Sequence, residues 1–240
     1  VERQIINDLD SVFYPDTFIV PFTEIVHDRA SVEIMRGCMR GCRFCQAGFI
    51  YRPLREKSAV KNNQLAKTLC ENTGYEELSL LSLSSSDYSD LNGLLEKLLT
   101  WTESQKTGLS LPSLRADNFS DEIREKISRF KKSGLTFAPE GGTQRLRNVI
   151  NKNVTEDELF NTVKIAFSGG YNSLKLYFMT GLPTETYEDL DGIIKLAGDV
   201  VNIYYQNPNR QKYKSISLSV SVSCFVPKPF TPFQWEPQDD

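Results

Sequence analysis

Apolar positions along this chain recur in two periods that take turns. Ser31 to Arg36 reads as a short strand, and Ala59 to Asn72 places its apolar residues at helical spacing. Glu77 to Ser84 (ELSLLSLS) is strand-like, and Leu91 to Ser104 has the pattern of an amphipathic helix. Leu109 to Leu114 is a third strand, after which Ser120 caps a helix through Lys132, acidic in its first turn and basic at its end. Leu135 to Ala138 is a fourth strand. It leads through Gly141-Gly142-Thr143 into helical segments that reach about Ser168, with Thr155-Glu156-Asp157-Glu158 in the form of a capping box. Ser173 to Met179 is the fifth strand, Thr186 to Tyr204 the fifth helix, and Ser215 to Cys224 (SISLSVSVSC) a strictly alternating sixth strand.

Strands that alternate with helices predict a parallel sheet, either a partial barrel or an open doubly wound sheet. Three regions follow: a lead-in over residues 1–30, a core domain over 31–226, and a proline-rich tail over 227–240 that is not expected to be regular. Asn207 to Lys214 is polar and basic and reads as an exposed loop. The 240 residues suit one substantial core, and 40% hydrophobic with 25% charged residues is ordinary for a soluble globular domain. A net charge of −3 gives no global field to draw in nucleic acid or anionic lipid. The local patch Arg52, Arg55 and Lys57 could meet a phosphate, with solvated surface as the first reading. No apolar run approaches the roughly 20 residues of a membrane span, and no secretory signal is visible, so a cytoplasmic protein is expected. Residue 1 is Val rather than Met, which reads as a fragment of a longer chain.

Five cysteines change the picture, because three fall within eight residues: Cys38-Met-Arg-Gly-Cys42-Arg-Phe-Cys45. This C-x3-C-x2-C run directly follows the first strand. Three thiolates on one loop can bind three irons of a [4Fe–4S] cubane and leave the fourth iron open. Gly37 and Gly41 would let the backbone fold tightly around it. Structural zinc needs four ligands, and the single histidine, His27, lies eleven residues upstream with no second cysteine pair. Nucleophilic catalysis would have only that histidine as base. Cys70 and Cys224 match no motif and read as buried core thiols.

The cysteine spacing, with Phe44 as its aromatic, resembles the radical S-adenosylmethionine (SAM) superfamily. The resemblance implies a partial (β/α)6 TIM-like barrel with its site at the carboxyl ends of the strands. It implies a cluster on Cys38, Cys42 and Cys45, SAM on the open iron, and reductive cleavage of SAM to a 5′-deoxyadenosyl radical. Phe44 then lies beside the adenine. Ser84, Ser85, Ser86 and Asp87 stand where many members hold the SAM amino group, although the usual glycines are replaced. Arg115, followed by Asp117, suits the SAM carboxylate or an ordinary surface ion pair. Glu140, in Phe137-Ala-Pro-Glu140-Gly-Gly-Thr143, matches the glutamate that bonds the ribose. Gly181-Leu-Pro183-Thr-Glu185-Thr186 is similar to the Gly-x-Pro-Gly-Glu-Thr segment of methylthiotransferases and cobalamin-dependent members. Gly181 would approach the adenine, while Glu185 and Thr186 can simply cap the next helix.

The stretch Phe225-Val-Pro-Lys-Pro-Phe-Thr-Pro-Phe-Gln-Trp235 resembles a radical SAM group often preceded by a cobalamin-binding domain, with Phe230 in place of that group's histidine. The implied partners are a flavodoxin- or ferredoxin-like electron donor and an unknown substrate, with cobalamin, if used, bound by a domain outside these residues. Two other readings stay open: a tRNA methylthiotransferase, and an iron–sulfur module for electron transfer or regulation.

Overall fold

The computed structural model describes residues 4–111, 115, 122, 125–126, 135–210 and 213–239. The first predicted strand divides in two. β1 (Ala30–Glu33) pairs in parallel with a later strand, whereas β2 (Met35–Arg36) turns out of that sheet to pair antiparallel with β3 (Arg55–Glu56). Between β2 and β3 run the cysteines and a short helix, α1 (Ala47–Ile50). The cysteine segment is therefore a loop closed at its base by a two-residue ladder.

Helix α2 (Ala59–Thr73) starts on Ser58, whose hydroxyl accepts the Lys61 N–H at 3.1 Å, and ends on Gly74 at φ 74°. After β4 (Glu77–Leu81) comes one 3-10 turn (Ser85–Asp87), then α3 (Leu91–Gln105), with Asp90 accepting the Gly93 N–H at 3.2 Å. β5 (Gly108–Ser110) holds the start of the predicted third strand; residues 112–114, Asp117, Ser120 and most of the predicted helix lie outside the described residues. β6 (Leu135–Glu140) leads into α4 (Gln144–Val149) and α5 (Glu156–Ser168). The capping box on α5 forms as predicted: the Thr155 N–H donates to Glu158 at 2.8 Å, and the Glu158 N–H donates to Thr155 at 3.2 Å. β7 (Ser173–Thr180), α6 (Tyr187–Gln206) and β8 (Ser217–Cys224) complete the order.

The long strands pair in parallel as β1-β4-β5 and β6-β7-β8. In register, Ala30 lies beside Leu78 and Val32 beside Leu80, all at most 1% exposed, in one core with Ala66 and Leu69 of α2 and Leu94 and Leu98 of α3. Leu174, Leu176 and Phe178 do the same against Val163, Ala166 and Phe167 of α5 and Ile193, Leu196 and Val200 of α6. Helices outside and parallel strands inside make this the partial barrel that the sequence predicted.

The two outer strands end differently. On β1, the Ser31 carbonyl accepts the Tyr14 hydroxyl at 2.6 Å and the Glu33 carbonyl accepts Lys57 Nζ at 2.6 Å. Lys57 is itself buried, with its ammonium 5.2 Å from the centre of the Tyr14 ring. Beyond β8 no strand is paired among the described residues, and no helix covers Val220 or Val222, which are 42% and 49% exposed. Cys224 belongs to that uncovered face, so the expectation of a buried core thiol fails there. Cys70 meets it, and burial raises its thiol to about 11.

Among the described residues no helix is long and apolar enough to cross a membrane. The difference between the covered and uncovered sheet faces is measurable by urea denaturation. Leu176→Ala should lose about 2–5 kcal/mol, whereas Val220→Ala, on the uncovered face, should stay within about 0.5 kcal/mol of the parent. Equal losses would contradict this packing.

Candidate active site at the carboxyl ends of the strands

The cysteine loop begins at a backbone constraint. Gly37 has φ 89°, and a Cβ there would stand 2.7 Å from the carbonyl oxygens of both Tyr51 and Pro53. Only glycine lets the two ends of the loop close so tightly. Neighbouring segments then hold the loop. The Arg43 N–H donates to the Ile150 carbonyl at 2.9 Å, Asn151 Nδ2 to the Gly41 carbonyl at 2.8 Å, and Arg52 Nη2 to the Arg40 carbonyl at 3.0 Å. From the tail, the Pro229 carbonyl accepts Gln46 Nε2 at 3.2 Å. Cys42 is buried, while Cys38 and Cys45 are partly exposed, and all three thiols are free.

The loop draws the other strand ends around it. Arg40, inside the cysteine motif, makes a two-pronged ion pair with Asp87, at 2.9 Å and 2.5 Å. Burial alone would raise the Asp87 carboxyl, but the Arg40 guanidinium outweighs it and holds the group below its usual range. Ser85 shares a 2.9 Å hydrogen bond with Ser82, and Ser86 accepts the Arg115 N–H at 3.0 Å. Ser84 is buried too, and its hydroxyl helps Arg40 hold the Asp87 carboxyl below its usual range. The Arg115 side chain donates to the Lys152 carbonyl at 2.8 Å, which ties it to this site, while Asp117 lies outside the described residues.

Glu140 ends β6 at φ 67°, beyond an irregularity in the β6–β7 register, and accepts Lys152 Nζ at 3.3 Å. Burial raises its carboxyl, and Lys152 partly offsets the shift. Burial likewise raises the Cys42 thiol, against the pull of Lys152 and Arg115, the two cations nearest in effect. Next to Glu140, a Cβ on Gly142 would come within 2.6 Å of the Ile193 nitrogen, so glycine allows this turn to lie on the backbone of α6. Arg147 is 1% exposed and donates to the Gly141 carbonyl at 3.0 Å, fixing the same turn from below.

At the end of β7, Gly181 has φ 75° and donates its N–H to Glu185 at 2.7 Å. Glu185 thus ties down the Gly181 turn, and Thr186 takes the N-cap of α6. Phe44 and Met179 pack on one small apolar group that includes Leu182, Ile150 and Phe225. That group links the cysteine loop to the end of β7. A cavity of about 480 Å³ lies along Gly181–Tyr187, and another of about 730 Å³ opens beside Gly37, Glu33 and Leu81. Phe230, at φ 65°, is exposed and lies outside this cluster of contacts.

All the predicted site residues thus come to one rim. The residues that the sequence did not single out are Arg40 and Lys152, partners of Asp87 and Glu140, and Asn151 and Arg147, which hold the Gly41 and Gly141 carbonyls next to predicted residues. Two of them were within sight: Arg40 lies between Cys38 and Cys42, and Lys152 ends the segment that follows Glu140. The partner of Arg40, Asp87, is far away in sequence, and Lys152 reaches Glu140 only across α4, which is why pattern alone did not mark them.

Among the described residues no three Cys, His, Asp or Glu side chains converge as they would on a single ion. A cubane does not ask for such convergence, because each thiolate takes a different iron. Three free thiols on one loop with two nearby cations, Lys152 and Arg115, fit a negatively charged cluster.

The sequence model of the Radical SAM superfamily matches residues 32–197. An uncharacterized protein of Methanocaldococcus jannaschii is 34% identical over 208 residues, which are 87% of this chain and 43% of that protein. The threonylcarbamoyladenosine tRNA methylthiotransferase MtaB of Bacillus subtilis is 28% identical over 204 residues, 78% of this chain and 44% of that protein. Among solved structures, the radical S-adenosylmethionine methyltransferase TsrM of Kitasatospora setae, with cobalamin and a [4Fe–4S] cluster bound, superposes with a TM-score of 0.67 at 12% identity. The match covers 87% of this chain and 39% of that one. The chain thus spans less than half the length of these relatives.

One network beside the site predicts a pH dependence. Asp189 is 2% exposed and accepts hydrogen bonds from Thr143, from Arg145 and from the Thr186 N–H, the last at 2.8 Å. Burial alone would raise its carboxyl, but these donors prevail and bring it down to about 2. A lowered folded-state value stabilises the protein above the unfolded value near 4, and that stabilisation is lost as pH falls towards 2. Asp189→Asn should therefore cost on the order of 2 kcal/mol at pH 7, with the gap to the parent closing through the acid range in urea titrations. A gap independent of pH would refute this assignment.

Proposed function

The chain belongs to the radical SAM superfamily, and from that premise we propose that it is the core of an enzyme that reductively cleaves SAM to act on a further substrate. The observation that carries the proposal is the meeting, at one rim, of the cysteine loop with Ser84–Asp87, Arg115 and the Glu140–Lys152 pair. Cys38, Cys42 and Cys45 would hold a [4Fe–4S] cluster, whose chemistry when bound is to pass one electron to SAM and release a 5′-deoxyadenosyl radical. The residues of this chain bind, orient and shield. Lys152 and Arg115 offset the charge of the thiolates. Ser84 offers its buried hydroxyl to the SAM amino group, beside Ser85, Ser86 and Asp87. Because Arg40 already occupies Asp87, that carboxylate acts mainly by fixing the cysteine loop. Arg115 can present a cation to the SAM carboxylate, and Glu140 an acceptor to the ribose hydroxyls. Phe44 and Gly181 bracket the place for the adenine. The apolar group around Leu182, Ile150 and Phe225 keeps water from the loop.

A flavodoxin- or ferredoxin-like protein would supply the electron, in the cytoplasm. Cobalamin, if used, would sit on a domain outside these residues, in keeping with the cobalamin bound in the TsrM structure. The likeness to MtaB keeps a second reading open, that of a tRNA methylthiotransferase, and sulfur insertion into tRNA would distinguish it.

The test is anaerobic reconstitution of the cluster, then chromatography for 5′-deoxyadenosine from SAM and dithionite. The parent should form it, and Cys42→Ala should lose both the cluster's absorbance and the product. If a cluster assembles, yet SAM neither changes its EPR spectrum nor is cleaved, the protein is an electron-transfer or regulatory module instead.

A further inference from the structure

The sheet β6-β7-β8 has a second face that none of the motifs above uses. Leu174, Leu176 and Phe178 point to the helices. Side chains alternate along a strand, so Lys175, Tyr177 and Met179 point to the interior of the barrel. Register extends this face sideways. Lys175 lies beside Thr136 of β6 and Ser219 of β8, Tyr177 beside Ser221, and Met179 beside Ser223. Every residue that β8 contributes here is serine, and none of the residues of β7 and β8 on this face is acidic. Lys175 Nζ stands 4.6 Å from the centre of the Tyr177 ring. Among the described residues no carboxylate is within ion-pair distance of it. The upper end of the face is anchored at the site, because Met179 packs on the same apolar group as Phe44 of the cysteine loop. Two residues along a strand are roughly 7 Å, so Tyr177 and Lys175 lie roughly 7 and 13 Å below Met179.

We propose that this face binds the substrate, and that the substrate is a hydroxyl-bearing molecule with an anionic group, carboxylate or phosphate. Lys175 takes the anion, Ser219 and Ser221 bond the polar body, and Tyr177 supplies a flat wall. The end remote from the anion is then directed up to the cysteine loop. A lone ammonium over an aromatic face, with its opposite charge missing, is a binding site for an anion. Anionic molecules are favoured over cationic and purely apolar ones by the same arrangement, since no residue of β7 or β8 on this face is acidic. The proposal rests on the radical SAM reading for what happens to the bound molecule, though not for the binding itself.

The test uses three matched probes, glucose, gluconate and glucose 6-phosphate, titrated calorimetrically into the reconstituted protein. At least one anionic probe should bind about ten-fold or more tightly than glucose, and which one does so separates a carboxylate substrate from a phosphate. Lys175→Gln should remove that preference, and Lys175→Arg should keep most of it. Lys164→Gln, on α5, controls for general charge. The proposal is overturned if neither anion outbinds glucose, or if the preference survives in Lys175→Gln. Failure of the underlying reading is seen separately, as no 5′-deoxyadenosine from the parent protein with dithionite, a result that leaves the binding titrations interpretable.

Discussion

Parallel pairing is the constraint from which the site follows. In parallel strands every carboxyl end emerges at the same edge of the sheet, so residues more than a hundred positions apart in sequence leave their strands side by side. The ladders β1-β4-β5 and β6-β7-β8 each do this. The turns after β1, β4, β6 and β7 then meet without any one of them being long. An antiparallel arrangement of the same segments would have sent alternate motifs to opposite ends.

What the strands bring near, a set of cations holds. Arg40 to Asp87 binds the cysteine loop to the turn after β4, while Arg115 to the Lys152 carbonyl, Lys152 to Glu140 and Arg147 to the Gly141 carbonyl bind the neighbouring segments to one another. Two of these four, Arg115 and Arg147, donate to backbone carbonyl oxygens, so they fix backbone rather than only neutralise charge. The rim is therefore cationic near the thiols although the chain as a whole is slightly acidic. Bulk charge and local field have opposite signs here, and the local one governs what binds.

The sequence revealed the fold where periodicity was long and the caps were local. α2, α3, α5, α6 and β7 fall within a residue or two of their predicted limits, because Ser58, Thr155 and Gly74 mark ends by short-range chemistry. The first strand was less legible. Ser31 to Arg36 looks continuous, yet it splits because Arg36 pairs with Arg55, some twenty residues on, and a two-residue ladder leaves no periodic trace. The site was legible as anchor residues and illegible as partners. Cysteine spacing and strand-end glycines are local signals. The Arg40–Asp87 and Lys152–Glu140 contacts are decided by which turns meet in space. The exposure of Cys224 was missed for a similar reason: alternation tells which face a residue takes, not whether anything lies over that face.

The two ends of the strand array have unequal reach. On β1 the outward carbonyls are occupied by a phenol and by an ammonium that is itself sealed from water, so a foreign strand would find neither room nor free acceptors. β8 presents eight residues with no charge and no proline, extended and open to solvent. Any contact by strand addition is thus directed to one side of the molecule. Self-association would be of one geometry, two β8 edges meeting across a two-fold axis, which ends in a pair and not in a fibril. The asymmetry of two hydrogen-bond caps at the opposite edge gives this barrel a polarity of assembly as well as of chemistry.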